Sequence, residues 1–233
     1  MLFQLLQAVP DSLANAAEAP AVPAEQTLNL LDLASKGGWL MIVLLILSII
    51  AIYIFGSKWW MIHKASKVDR NFIKNIRALI HDGKTKSAIE LCRKYDTPTA
   101  RLVEKGIERI GRPLEDIQAA VENMGNVEVA RLEKGLPMLA TIAGGAPMIG
   151  FLGTVTGMIQ AFFEMANAGN NIDITLLSGG IYEAMITTVG GLFVGIIAYF
   201  GYNYLTSQIS NLVFKMENAT IAFIDMLHEP AEE

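Results

Sequence analysis

An acidic side chain sits where acids are scarce. Glu183 is the one charged residue between Ile174 and Lys215. If that stretch crosses a membrane, its carboxyl is expensive to bury and marks function by default. Two hydroxyls accompany it. Thr154 lies in "GGAPMIGFLGTVTGMIQAF" (144–162), and Thr188 lies five residues after Glu183. From Leu136 to Tyr204 there is no His or Cys, and Glu183 has no second carboxylate within its own segment. Nucleophilic, paired-acid and metal-assisted catalysis therefore lack their parts, and neither a cofactor nor a metal set is called for. Proton or cation handling remains. Glu183 then either lines the mouth of a passage while protonated or bonds to a neighbouring helix as a structural contact, and both readings stay open.

The elements that must position these groups are membrane helices. The chain has 233 residues, 52% hydrophobic and 18% charged, against roughly 25% charged in a soluble domain. "GGWLMIVLLILSIIAIYIFG" (37–56) is uncharged and long enough to cross a hydrocarbon core of about 30 Å. Leu136 to Phe163 is also uncharged, and a third apolar stretch starts at Ile174. The reading is an all-α membrane protein with three transmembrane helices and long cytoplasmic helical extensions. Its boundaries are an extracytoplasmic N-terminal segment at 1–36, span one at 37–57 and a cytoplasmic helical domain at 58–135. Span two follows at 136–166, an extracytoplasmic turn at 167–173, span three at 174–205 and a cytoplasmic extension at 206–233.

Charge sets the orientation. Of 18 Lys and Arg, 16 fall between Lys58 and Lys134. Basic residues beside span ends stay in the cytoplasm, so Lys58, Lys64, Lys67 and Arg70 put the N-terminus outside and the C-terminus inside. The N-terminal segment has small residues at Ala14 and Ala16 but no basic residue before them; it is read as retained rather than cleaved. Acids interleave with the bases of 58–134, which argues against nucleic acid. Short helices are expected around Phe72–Ile80, at "TKSAIELCRKY", at "PTARLVEKGIERIG" and from Pro113 towards Leu136. Cys92, a lone cysteine, reads as a small apolar helix residue. Leu205, Ile209, Leu212, Met216, Ala219, Phe223 and Met226 alternate by four and three, a stripe expected to pack on the cytoplasmic helices.

The second and third spans each have one face of small residues. On span two it runs Pro147, Gly150, Thr154, Gly157, Ala161, Glu164; on span three, Ala184, Thr188, Gly191, Gly195, Ala198, Tyr202. Such a face serves close helix packing, as Gly153-x-x-x-Gly157 and Gly191-x-x-x-Gly195 would, or it lines a lumen. At 1.5 Å per residue, Thr154 and Thr188 lie roughly 18 and 21 Å from their outer helix ends, so the hydroxyls share one level. Two faces with a central Thr at matched depth favour a lumen. No Asp, Lys or His of this chain stands at that depth, so a proton relay made by it alone is poor. A self-contained small-molecule transporter would show two related halves, which three spans do not supply.

Residues 136–162 and 179–205 resemble the MotA/TolQ/ExbB proton channel family, most of all its ExbB branch. The resemblance rests on A-P-x-x-G-x-x-G-T-V-x-G-M-I and I-x-E-A-x-x-x-T-x-x-G-L and extends over residues 37–225. Where members often read A-I-P-A, this chain has Gly195-Ile196-Ile197-Ala198, which changes the expected local bend. The resemblance implies an inner-membrane homopentamer around a central lumen that holds the single spans of two ExbD-like partners. Protons pass by way of the partner's aspartate, and a TonB-like protein carries the work to outer-membrane transport. Thr154, Thr188 and Glu183 carry over as proton-pathway residues, with Gly150, Gly157, Ala161, Ala184, Gly191, Gly195 and Ala198 as lumen walls. A TolQ-type subunit of an envelope motor is the alternative.

Overall fold

The computed structural model describes residues 37–66, 71–167 and 174–228. The segment 1–36, Lys67 and Arg70, residues 168–173 of the expected turn, and the acidic end after 228 lie outside the described residues. All the regular structure in the described residues is helical: α1 (Gly38–Ala65), α2 (Phe72–His81), α3 (Thr85–Tyr95), α4 (Pro98–Ile107), α5 (Leu114–Glu133), α6 (Leu136–Asn167) and α7 (Ile174–His228).

Local chemistry explains where the helices break. Gly83 and Gly135 take φ of +71° and +95° after α2 and α5, a left-handed conformation that costs glycine least. Asp96 ends α3 with φ of 44°; a short polar side chain tolerates that region best among the rest. Pro98 then opens α4, its missing N–H costing nothing at a first helical position. Thr97 caps the same turn by accepting from the Ala100 N–H at 3.3 Å.

Three helical stretches are long and apolar enough to cross a membrane: Gly38–Ala65, Leu114–Asn167 (α5 with α6) and Leu177–His228. Their outward surfaces carry the large apolar side chains, among them Met148, Phe151, Ile159, Phe193 and Phe200. Within the chain α6 and α7 form the most extensive pairing, with α1 laid against both. The 55 residues of α7 make a rod of about 80 Å. Leu205, Ile209, Leu212, Met216, Phe223 and Met226 are buried along it, and α2, α4 and α5 pack on it. The expected stripe is therefore the spine of the short-helix domain, with Ala219 at its half-buried margin. A side chain at Gly106 of α4 would collide with the Phe223 ring, so that glycine sets how close α4 comes.

Two ionic features tie the domain together. Lys58 is not spread into a headgroup layer but buried. Its Nζ donates to the carbonyls of Arg131 and Leu132, 3.2 Å from each. These belong to the last turn of α5, where carbonyls lack helical partners and a cation is favoured. Glu128 is 0% exposed and is held by the Arg101 fork, Nε to Oε1 at 2.9 Å and Nη2 to Oε2 at 2.7 Å. Arg131 adds a contact of 3.1 Å to Oε1. The hydrogen bonds that Arg101 donates to Glu128 hold its guanidinium above even its usual high pKa.

Candidate functional site

The small residues of α6 and α7 meet one another. A methyl group added at Gly150 would stand 2.9 Å from the Thr187 carbonyl oxygen and 3.1 Å from the Cα atoms of Thr188 and Gly191. One added at Gly191 would stand 2.6 Å from the Ala146 carbonyl oxygen and 2.8 Å from the Gly150 Cα. Gly157 faces Ala184, and Gly180 faces Ala161. Gly195 sits against the Pro147 ring and the Ala143 carbonyl, the carbonyl whose helical partner Pro147 cannot supply. Ala161, Ala184 and Ala198 are buried.

Within the single chain Gly150, Ala161, Ala184, Gly191, Gly195 and Ala198 are buried and Gly157 is half-buried, and all of these but Ala198 lie at the α6–α7 seam. The physical reason is that lipid supplies no hydrophobic drive between helices, so backbones approach where side chains are smallest. The residue types allow both uses, and close packing of α6 on α7 is the one visible within one chain.

Two hydroxyls, one from each helix, bond to adjacent carbonyls of one α6 turn. Thr188 Oγ1 donates across the seam to the Gly150 carbonyl at 2.9 Å. Thr154 Oγ1 donates to the next carbonyl, Phe151, at 2.6 Å. Both hydroxyls are half-buried and keep lone pairs that can accept a further donor. Thr187 is a third hydroxyl beside them, missed by a reading that took only one Thr per face. It is buried, donates to the Ala184 carbonyl at 2.8 Å, and fits because Gly153 opposite has no side chain.

Glu183 stands apart from this group, at the end of the bundle where α1 begins. Its Oε1 lies against Gly38, which takes φ of +63°. Any other residue there would meet both a strained backbone and the carboxylate. The start of a helix presents unpaired N–H groups and a positive dipole end, a setting that suits an anion. Along α7, Glu183 and Thr188 are about 7 Å apart, and it is Thr187, four residues on, that shares the Glu183 face.

The arrangement holds hydrogen bonds and small polar groups, with an acid at one end and hydroxyls deeper in. Among the described residues no group of three or more His, Cys, Asp or Glu could hold a metal ion. Such a set can steer a proton or a hydrated cation. It has no titrating side chain at hydroxyl level to store one.

Comparisons with known proteins agree with this chemistry. The model of the MotA/TolQ/ExbB proton channel family matches residues 94–218. A biopolymer transport protein ExbB homolog from Methanothermobacter thermautotrophicus is 30% identical over 193 residues, 81% of this chain and 67% of that protein. An ExbB-like biopolymer transport protein from Synechocystis is 31% identical over 78% of this chain and 72% of its own length. The Tol-Pal system protein TolQ of Haemophilus influenzae is 28% identical over 88% of this chain and 96% of that protein. With its three apolar helices, its seam of small residues and these matches, the chain belongs to the MotA/TolQ/ExbB proton channel family.

Proposed function

We propose that the chain is the inner-membrane stator subunit of a motor driven by the proton motive force, of the ExbB type. Five copies form a ring, the single spans of two ExbD-like partners fill it, and a TonB-like protein carries the work to outer-membrane transport. The N-terminus is outside and the C-terminus cytoplasmic, by the basic residues of the short-helix domain. Thr154, Thr188 and Glu183 are the proton-pathway residues. The observation that carries the reading is the pair of hydroxyls, Thr154 of α6 and Thr188 of α7, bonded to adjacent carbonyls of one α6 turn, with no ionisable side chain of the described residues at their level. A pathway there needs a titrating group from another protein.

The test is reconstitution. The chain alone in liposomes dissipates a pH gradient slowly, and together with its single-span partner it dissipates the gradient quickly under load. Rapid leakage by the chain alone would sink the proposal. Native mass measurement of the detergent-purified complex reads the expected five-to-two stoichiometry directly. A TolQ-type role in an envelope motor is the second reading, favoured by the near-complete coverage of the Haemophilus TolQ. A TolA-like rather than TonB-like protein copurifying with the complex would establish it.

A further inference from the structure

Thr156, Gln160 and Glu164 follow one another at intervals of four on α6, a polar line about 12 Å long on a helix otherwise coated with Met, Ile, Phe and Val. Polar side chains inside a span are costly unless they face protein or water. Here they face a cleft of about 350 Å³, walled across from them by Glu183 and Thr187 of α7 and roofed by Gly37–Leu40 at the start of α1. That volume holds on the order of ten water molecules. Its floor is glycine, at Gly153, Gly157 and Gly180, so no side chain of the described residues rises into it from there.

We propose that this cleft is a water-filled, cation-selective inlet that leads from the Gly38 end of the bundle to the Thr187–Thr188 level and stops there. The proposal deepens the proton-pathway reading and rests on it for orientation. Its mouth carries two carboxylates, Glu164 and Glu183, which concentrate cations and repel anions. Along its length the Gln160 amide donates to Glu164 at 3.2 Å and the Thr156 hydroxyl to the Leu152 carbonyl at 3.0 Å. Each keeps oxygen lone pairs that can accept from hydronium or a hydrated cation's water. The inner end is closed by Thr187, 3% exposed, whose chain neighbour Thr188 reaches across the seam to Gly150. The cleft thus reaches Thr187 from the Gly38 end and ends there.

The experiment is cysteine accessibility in the complete complex with its partner, in right-side-out membranes, on a Cys92→Ala background. Thr156→Cys and Gln160→Cys are compared with Ile159→Cys, which lies on the apolar face and is 64% exposed in the chain. The probes are membrane-impermeant methanethiosulfonates, one bearing trimethylammonium and one bearing sulfonate, applied from the outer side. The expected result is modification of Thr156→Cys and Gln160→Cys at least tenfold faster than Ile159→Cys, with the cationic probe several-fold faster than the anionic one. Adding Glu164→Gln and Glu183→Gln removes that charge preference and leaves accessibility. Rates for Thr156→Cys no higher than for Ile159→Cys, or equal modification from the cytoplasmic side, overturn the inlet. Copurification of the single-span partner and substrate uptake, measured on the same variants, read the motor assignment separately, so an inaccessible cleft in an active complex rejects the inlet alone.

Discussion

Thr188 and Gly150, 38 residues apart in the chain, are joined by a 2.9 Å hydrogen bond across the α6–α7 seam. The glycine makes the bond possible twice over. It lets the α7 backbone come within contact of α6, and its carbonyl, with two lone pairs, accepts the hydroxyl besides its place in the helix ladder. The Thr188 hydroxyl is thereby fixed in direction by the same residue that fixes the helix spacing.

Replacing Thr188 by Val removes this donor and keeps the shape. The expected loss of stability is modest, about 0.6 to 2 kcal/mol for an interhelical hydrogen bond in a membrane, so assembly persists. Partner-dependent uptake falls sharply, and Thr188→Ser restores much of it. Thermal stability in detergent beside an uptake assay checks both halves. Normal uptake by a Thr154→Val/Thr188→Val double variant would count against the pathway assignment.

The glycines of α6 and α7 divide into two classes by what surrounds them. Gly144 and Gly145 have open space where a Cβ would go, whereas Gly150 and Gly191 face backbone within 3.1 Å. Gly144→Ala is expected to be neutral or slightly stabilising through helix propensity. Gly191→Ala pushes the two backbones apart and costs about 1–3 kcal/mol, as overpacking does. Melting of the purified protein followed by size exclusion distinguishes them. Equal melting of the two variants would refute a seam set by glycine contact.

These comparisons show which parts were legible in the residues alone. Helix identity was, because uncharged runs and the four-three alternation from Leu205 to Met226 carry their own period. The positions of Gly150 and Gly191 were legible as a small-residue face, but its use was not. A glycine row looks the same whether the facing surface belongs to the same chain, a neighbour or a lumen, and only the paired backbone decides. The Thr156–Gln160–Glu164 line was overlooked because attention went to the adjacent row of small residues, although its spacing of four was available to read. Lys58 reads locally as one more basic residue beside a span, since nothing nearby in the sequence reveals that the α5 carbonyls at Arg131 and Leu132 come within its reach. Arg101 and Glu128, 27 positions apart, have the same problem: pairing of that kind is set by how α4 crosses α5.

Glu128 and Arg101 give a prediction for the short-helix domain. The carboxylate is fully enclosed, so its guanidinium partner is what makes its charge tolerable. Arg101→Met leaves that charge with only the more exposed Arg131, and removal of one partner of a buried pair costs about 3–5 kcal/mol. Limited proteolysis between Phe72 and Glu133 is expected to become fast in this variant while the membrane helices resist. Exchanging both partners for apolar residues of similar volume is expected to recover much of the loss. Proteolysis unchanged from the parent in Arg101→Met would show the ion pair to be dispensable.

Cys92 supplies the pH dependence. Burial, aided by the nearby charge of Glu104 and opposed by a backbone hydrogen bond, pushes its thiol up to about 12 from 9.0. The thiolate is the reactive form, so maleimide labelling of the folded protein at pH 8 is expected to run about a thousandfold slower than labelling of the unfolded chain. The same shift sets a sign for stability. Between the unfolded and folded values the folded chain keeps a proton that the unfolded chain has released, so stability contributed by the neutral thiol is present below pH 9 and is lost as pH rises towards 12. The melting temperature of the parent is therefore expected to fall more steeply above pH 9 than that of Cys92→Ala. Parallel curves across that window would mean that Cys92 is accessible to solvent in the folded chain.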